Sequence, residues 1–211
     1  MKRIDDDTWA KAQTYEKNWW KTCHNTMIED LKQLSLTKRI GLDLIQADSL
    51  WIDCHQKRII DIGGGVTSLL LKCFNFKQAV VVDPILMPEW VEMRYKAANI
   101  EVIHKKAEDI QEEYEYQEPF DEAWIYNCLQ HTQDPEKILR GAQHIAKMIR
   151  IHEWIDVDGN EGHPQKLTAK ELNDILGGFG EVGMLMERFN SGKVYAGKFQ
   201  SPVFAVGGDK V

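Results

Sequence analysis

The rhythm of apolar and polar positions changes once along the chain, near Arg58. Before it, from Trp9 to about Leu50, the spacing is helical: Met27, Ile28, Leu31 and Leu34 share one helix face, and Thr26 with Glu29 forms a capping box. This predicts an α-helical extension over residues 1–55, set apart from a domain over 56–211. The extension carries Trp9, Tyr15, Trp19, Trp20 and Trp51, aromatics that either anchor its helices to the domain or roof a ligand pocket. After Arg58, short β-rich runs at 58–62, 79–83, 101–104, 122–126 and 148–155 alternate with helical segments at 66–74, 88–98 and 135–147. The last segment has Asp134 as N-cap, Pro135 at its first position, and Ile138, Leu139, Ala142, Ile145 and Ala146 on one face. Thr168 and Glu171 make another capping box opening a helix that ends near Gly177, and residues 182–199 supply two strands turning at 190–192. Repeated strand–helix–strand units predict an α/β fold with a doubly wound, mostly parallel sheet.

Composition narrows the class without changing that picture. The 211 residues suffice for one α/β domain with an extension, and no apolar run approaches the roughly 20 residues that cross a bilayer. No apolar segment follows the charged start at 1–7 as a signal peptide would require, and four widely spaced cysteines suggest neither a disulfide framework nor a thiolate zinc site. A cytoplasmic setting is therefore expected. A net charge of −7 argues against nucleic acid and anionic membranes as partners. The acidic stretches 5–7 and 111–118 read as a solvated tail and loop.

The sharpest chemical signal is Arg58-Ile-Ile-Asp61-Ile-Gly63-Gly64-Gly65-Val-Thr67-Ser68, a strand that breaks into three glycines and re-enters a helix. Glycines let the backbone turn tightly and approach a ligand, and a following helix start offers free N–H groups. A dinucleotide fingerprint requires a glycine where Ser68 stands, and Asp61 beside the cradle would repel a pyrophosphate; a Walker lysine is absent too. A second acid, Asp83, closes the run Val80-Val81-Val82 and is followed by Pro84, at the interval where an acid reaches ribose hydroxyls; the other reading is a turn cap.

From about Arg58 to Val182 the chain resembles class I, Rossmann-like S-adenosylmethionine-dependent methyltransferases, whose fold has a seven-stranded sheet. Four ordered signals carry the likeness: Asp61-Ile-Gly63-Gly64-Gly65; Asp83; Lys106-Ala107-Glu108-Asp109-Ile110; and Phe120-Asp121-Glu122-Ala-Trp124-Ile-Tyr126-Asn127-Cys128-Leu129-Gln130-His131-Thr-Gln-Asp134-Pro135. The resemblance implies S-adenosylmethionine as cofactor, held by Asp61, Gly63, Gly64, Gly65, Asp83, Pro84, Asn127 and the adenine loop, where Ala107 offers backbone and Glu108 or Asp109 a carboxylate. It implies that the N-terminal helical region occupies the place of the variable substrate cap. Gln130 stands where ubiquinone-pathway relatives carry a metal-holding acid, so no metal is expected. The Asn/Asp-Pro-Pro-Tyr/Phe signature of nucleic-acid amino-methyltransferases is missing.

Methyl transfer from a sulfonium is a displacement that depends chiefly on alignment, and an oxygen acceptor also needs a base. His131, after the fourth predicted strand, is the candidate base; otherwise its ring caps the following helix or lines the cofactor site. Trp19, Trp20, His152, Glu153 and His163 are candidate substrate contacts, although alternation places His152 and Glu153 on opposite faces of their strand. The expected function is methyl transfer to an oxygen, less readily a nitrogen, of a small-molecule or glycan acceptor. The alternatives are a protein or nucleic-acid methyltransferase, a non-catalytic S-adenosylmethionine-binding sensor or partner subunit, and an NAD-linked enzyme.

Overall fold

Arg58–Ile62 (β2) is buried at every position, as expected of a strand with parallel neighbours on both sides and helices or turns on both faces. The computed structural model that shows this describes residues 1–22, 27–29, 36–43, 51–115, 117–186 and 191–205. The strands are Ile52–Asp53 (β1), β2, Cys73–Phe74 (β3), Gln78–Val82 (β4), Glu101–Ile103 (β5), Glu122–Tyr126 (β6), Met148–Ile155 (β7), Glu181–Met186 (β8) and Ser191–Gln200 (β9). Seven of them form one sheet in the order β5-β4-β2-β6-β7-β9-β8, parallel as far as β7 and closed by the antiparallel β8–β9 pair. Two strands form there as expected, but Ser191 and Gly192, expected in the turn, are paired in β9, and Asn190 lies outside the described residues. β1 pairs with β3 in a separate two-stranded sheet, so the extension expected over 1–55 ends in a strand.

Alternation along the strands gives each sheet face its own core. Ile60, Ile62, Val80 and Val82 pack on one side against Pro135–Ile145 (α4) and Ala169–Leu176 (α5), through Ile138, Leu139, Ala142, Leu172 and Leu176. Ile59, Val81 and Trp124 pack on the other with Leu69, Leu70, Ile40, and Val91 and Tyr95 of Glu89–Ala97 (α2). The expected caps form: Asp134 Oδ1 accepts from Lys137 N at 3.0 Å, and Thr168 Oγ1 from Glu171 N at 3.3 Å. Gly177 ends α5 in the left-handed region. Thr26, Leu31 and Leu34 of the predicted early helix lie outside the described residues, and 27–29 are helical.

Three expectations change. Asp5–Asp7, read as a tail, starts Asp6–Trp19 (α1), with Asp5 Oδ1 accepting from Thr8 N at 2.7 Å. Residues 111–118, read as a loop, begin inside the short helix Ile110–Tyr114 (α3). The helix predicted over 66–74 is replaced by two 3₁₀ turns, Gly65–Thr67 and Leu69–Lys72, and by β3. The cause is tertiary: Ser68 N donates to Tyr95 Oη (2.9 Å) and Leu69 N to Tyr126 Oη (2.7 Å), so these amides leave no α-helical ladder to build. The free helix N-terminus anticipated after the glycines is therefore absent here.

Beneath the sheet, Arg150 is 4% exposed and donates to Glu122 through Nε (2.6 Å) and Nη2 (3.0 Å). Its Nη1 reaches Ile40 O and Gly41 O at 2.7 Å each, fastening the N-terminal region to β6 and β7. No helix among the described residues is long and apolar enough to cross a membrane.

Candidate functional site

Chain connections leave β2 toward β4 on one side and β6 toward β7 on the other, so a crevice opens at the carboxyl ends of β2 and β6. Gly63, with φ 77°, follows β2, and Asn127, with φ 52°, follows β6. The two turns touch: a Cβ on Gly63 would stand 2.1 Å from Cys128 Sγ. Gly63→Ala is therefore expected to destabilise the protein by roughly 1–3 kcal/mol through overpacking, read as a lowered thermal midpoint.

A cleft of about 80 Å³ lies there, lined by Gly63, Val82, Asp83, Pro84, Ile85, Ala107, Glu108, Asn127, Cys128, His131 and Thr132 from the domain and by Trp9, Gln13 and Glu16 from α1. Sequence reasoning named Gly63, Asp83, Pro84, Ala107, Glu108, Asn127 and His131; all seven come together on this wall. It offered Trp9 among the aromatics that could roof a pocket, and it missed Gln13 and Glu16. Trp9, Gln13, Glu16 and Trp20 share a helical stripe, but a stripe mixing aromatic and polar residues gives no hydrophobic signal. Trp20 packs near Gly65, its Cζ2 being 3.6 Å from where a Cβ would stand. Trp19 is exposed and is not on the wall.

Asp83 lines the cleft with both carboxyl oxygens tied to backbone amides. Its Oδ2 accepts from Gly65 N (3.1 Å) and its Oδ1 from Ile85 N (2.9 Å). Burial pushes its carboxyl up to about 6, with the charge of Glu16 adding to that and the two N–H groups opposing it. Burial likewise raises Glu16 to about 7, with Glu29 adding and a bond from Trp20 opposing.

Asp61 takes a different place from the one imagined at the cradle's edge. It is fully buried beneath the glycine loop, where Oδ2 accepts from Tyr126 Oη at 2.5 Å and from Ser68 Oγ. Its Oδ1 is buried without a partner, and burial raises the carboxyl to about 7. Tyr95 Oη donates to Gly65 O at 2.7 Å, so two tyrosines and Asp61 hold the loop Gly63–Ser68 from behind. Gly64 is close-packed on Asp61, 2.6 Å separating a Cβ there from Oδ2.

Glu108 lines the cleft, but its Oε1 accepts from Gln133 N (2.8 Å) and Asp134 N (3.0 Å) and so supports the start of α4. Asp109 is off the wall, 3.6 Å from Lys137. Glu153, fully buried, accepts from Cys128 N (2.9 Å) and Leu129 N (3.0 Å) and underpins the turn after β6. His152 points to the opposite face, buried with both ring nitrogens unpartnered. Neither reaches the cleft wall.

His131 ends a 3₁₀ turn at Leu129–His131. Its Nδ1 is 2.7 Å from Gly162 O and 3.2 Å from Glu16 Oε1, and the His163 ring lies beside it, tilted by 50° with centroids 4.4 Å apart. The carbonyl can only accept, so Nδ1 carries the proton and Nε2 keeps a lone pair. Burial lowers its pKa to about 4, against the Gly162 carbonyl that raises it, so the ring is neutral near pH 7. No group of three or more metal-ligating side chains occurs among the described residues.

No family model matches the chain. No curated protein matches it in sequence. Solved structures do match in shape. An N-methyltransferase, NodS of Bradyrhizobium japonicum, solved with S-adenosyl-L-homocysteine, superposes with TM-score 0.60 at 12% identity, covering 93% of this chain and 100% of that one. A Thermotoga maritima S-adenosylmethionine-dependent methyltransferase, described as a possible histamine N-methyltransferase, gives 0.57 at 16% identity over 92% and 99%. Magnesium protoporphyrin IX methyltransferase of Synechocystis, with bound S-adenosylmethionine, gives 0.52 at 11% over 90% and 97%. With the strand order, these likenesses establish that the chain has the class I, Rossmann-like methyltransferase fold.

Proposed function

We propose that the protein is an S-adenosylmethionine-dependent methyltransferase acting on an oxygen of a small-molecule or glycan acceptor. The carrying observation is the chemistry of the cleft wall: among the described residues it presents the carboxyl groups of Glu16, Asp83 and Glu108 and no lysine or arginine, at the fold's topological switch point. A pyrophosphate finds there neither a cation nor a helix N-terminus; an adenosyl ligand with a sulfonium and an ammonium finds complementary charge. The donor set fits: Asp83 lines the cleft just beyond β4, as a ribose ligand would, and Gly63 lines it beside Asn127. When bound, S-adenosylmethionine supplies an electrophilic methyl group.

The chain's own residues then have assignable tasks. Asp83 holds the ribose hydroxyls, Pro84 and Ala107 flank the adenine, and Gly63 and Asn127 face the amino-acid end. His131 Nε2 takes the proton of the acceptor hydroxyl, its ring oriented by Gly162 O and backed by His163. Residues 1–55 act as the cap. Ligand pockets span about 300–1,000 Å³, so admitting a nucleoside requires the Trp9, Gln13 and Glu16 side chains to repack around it.

An amine acceptor is the second reading, favoured by two matched structures being described as N-methyltransferases. The test is methyl transfer from radiolabelled S-adenosylmethionine into cell extract split into small-molecule, protein and nucleic-acid fractions. Label is expected in the small-molecule fraction as a methyl ether or ester; label confined to protein or nucleic acid would overturn the assignment.

A further inference from the structure

Glu16 is a carboxyl group on α1 that faces into the cleft, and among the described residues no lysine or arginine lines that wall. Trp20 donates to it, and its Oε1 lies 3.2 Å from His131 Nδ1. Resting on the cofactor reading above, we propose that Glu16 is the charge selector of the site, favouring the sulfonium-bearing methyl donor over its uncharged thioether product.

The two ligands are nearly isosteric and differ at the sulfur by one unit of charge. On the cofactor reading the uncharged Gly63 and Asn127 do not tell them apart, and Asp83 is given to the ribose hydroxyls. A carboxylate in a partly desolvated cleft does, because a charge pair a few ångströms apart at an effective dielectric near 20 changes a binding constant by more than tenfold. The cap helix therefore contributes donor preference, and loss of the sulfonium on methyl transfer removes the attraction, which favours product release.

Groups facing Glu16 from neighbouring elements bear on its ionisation. Asp83 beyond β4 and Glu29 from the N-terminal region both repel its charge, while Trp20 donates to it. His131, 3.2 Å away, gives its Nδ1 proton to Gly162 O and carries no charge near neutral pH. Burial raises Glu16 to about 7, so the selector is protonated and silent in mild acid and ionised above neutrality. The donor-over-product preference consequently grows with pH.

The test is calorimetric titration of the full chain and of Glu16→Gln with S-adenosylmethionine, S-adenosylhomocysteine and sinefungin, which carries an ammonium near the methyl position. In the wild type at about pH 8, both charged ligands are expected to bind roughly tenfold tighter than S-adenosylhomocysteine, falling toward parity near pH 5.5. In Glu16→Gln the preference is lost at both pH values while S-adenosylhomocysteine affinity is kept. Equal preference in wild type and variant would overturn the proposal. Should the variant not fold, a wild-type preference that is flat with pH overturns it equally. Failure of all three ligands to bind would instead sink the cofactor reading.

Discussion

Replacing His131 with alanine is expected to slow methyl transfer by roughly 10²–10⁴-fold while S-adenosylhomocysteine affinity stays within about threefold. The split follows from the ring's position: it lines the cleft, but its backbone and Nδ1 contacts are made to Gln13, Gly162 and Glu16. What the alanine removes is the Nε2 lone pair. Since burial holds the imidazole at about 4, it is already in its basic form across the physiological range. Protonation abolishes the base, so at saturating S-adenosylmethionine the rate should fall only as pH drops through about 4, well below the ordinary histidine value of about 6.5. An acid limb near 6.5, or an alanine variant with unchanged turnover, would reassign His131 to the helix-cap or pocket-lining role. Steady-state rates against pH with a fixed acceptor check both points.

The largest expected loss of stability comes from Glu122→Ala, about 3–5 kcal/mol, or a thermal midpoint lowered by roughly 6–20 °C. The alanine strands the guanidinium of Arg150 and the Trp124 indole N–H, both buried, and releases Lys57. An uncompensated buried cation is the costly outcome; replacing Arg150 and Glu122 together with apolar residues should recover much of the loss. Burial opposes ionisation of Glu122, but the bonds from Arg150, Lys57 and Trp124 outweigh it and hold the carboxyl at about 2. Its folded pKa is thus depressed below the ordinary 4.5. The contribution is present in full above that value and lost as pH falls through about 2. Thermal melts between neutral pH and strong acid, wild type against variant, measure it.

Much of this arrangement was legible in the sequence because backbone requirements leave marks. Gly63 must adopt positive φ and abut Cys128, and only glycine does so without a clash. Uninterrupted apolar runs such as Val80-Val81-Val82 announce strands covered on both faces, and Asp134-Pro135 announces a helix start. Tertiary partners were not legible. The absent helix after Gly65 depends on hydroxyls of Tyr95 and Tyr126, 27 and 57 residues from the amides they accept. Asp61 shows the same limit, since an acid at a strand end reads alike whether it faces a ligand or, as here, Tyr126 and Ser68. Glu108 and Glu153 are spent on backbone amides of the next loops, a role composition does not distinguish from ligand contact. Glu16 escaped notice because its importance arises only when α1 folds over the crevice.

The most direct test of the central claim, that this crevice is built for an adenosyl ligand carrying positive charge, is calorimetric titration of the folded chain with S-adenosylhomocysteine, alongside NADH. One saturable site of micromolar affinity, abolished by Asp83→Ala and unaffected by NADH, is the predicted result. Absence of saturation in protein that still melts cooperatively, or tight binding of NADH instead, would contradict it.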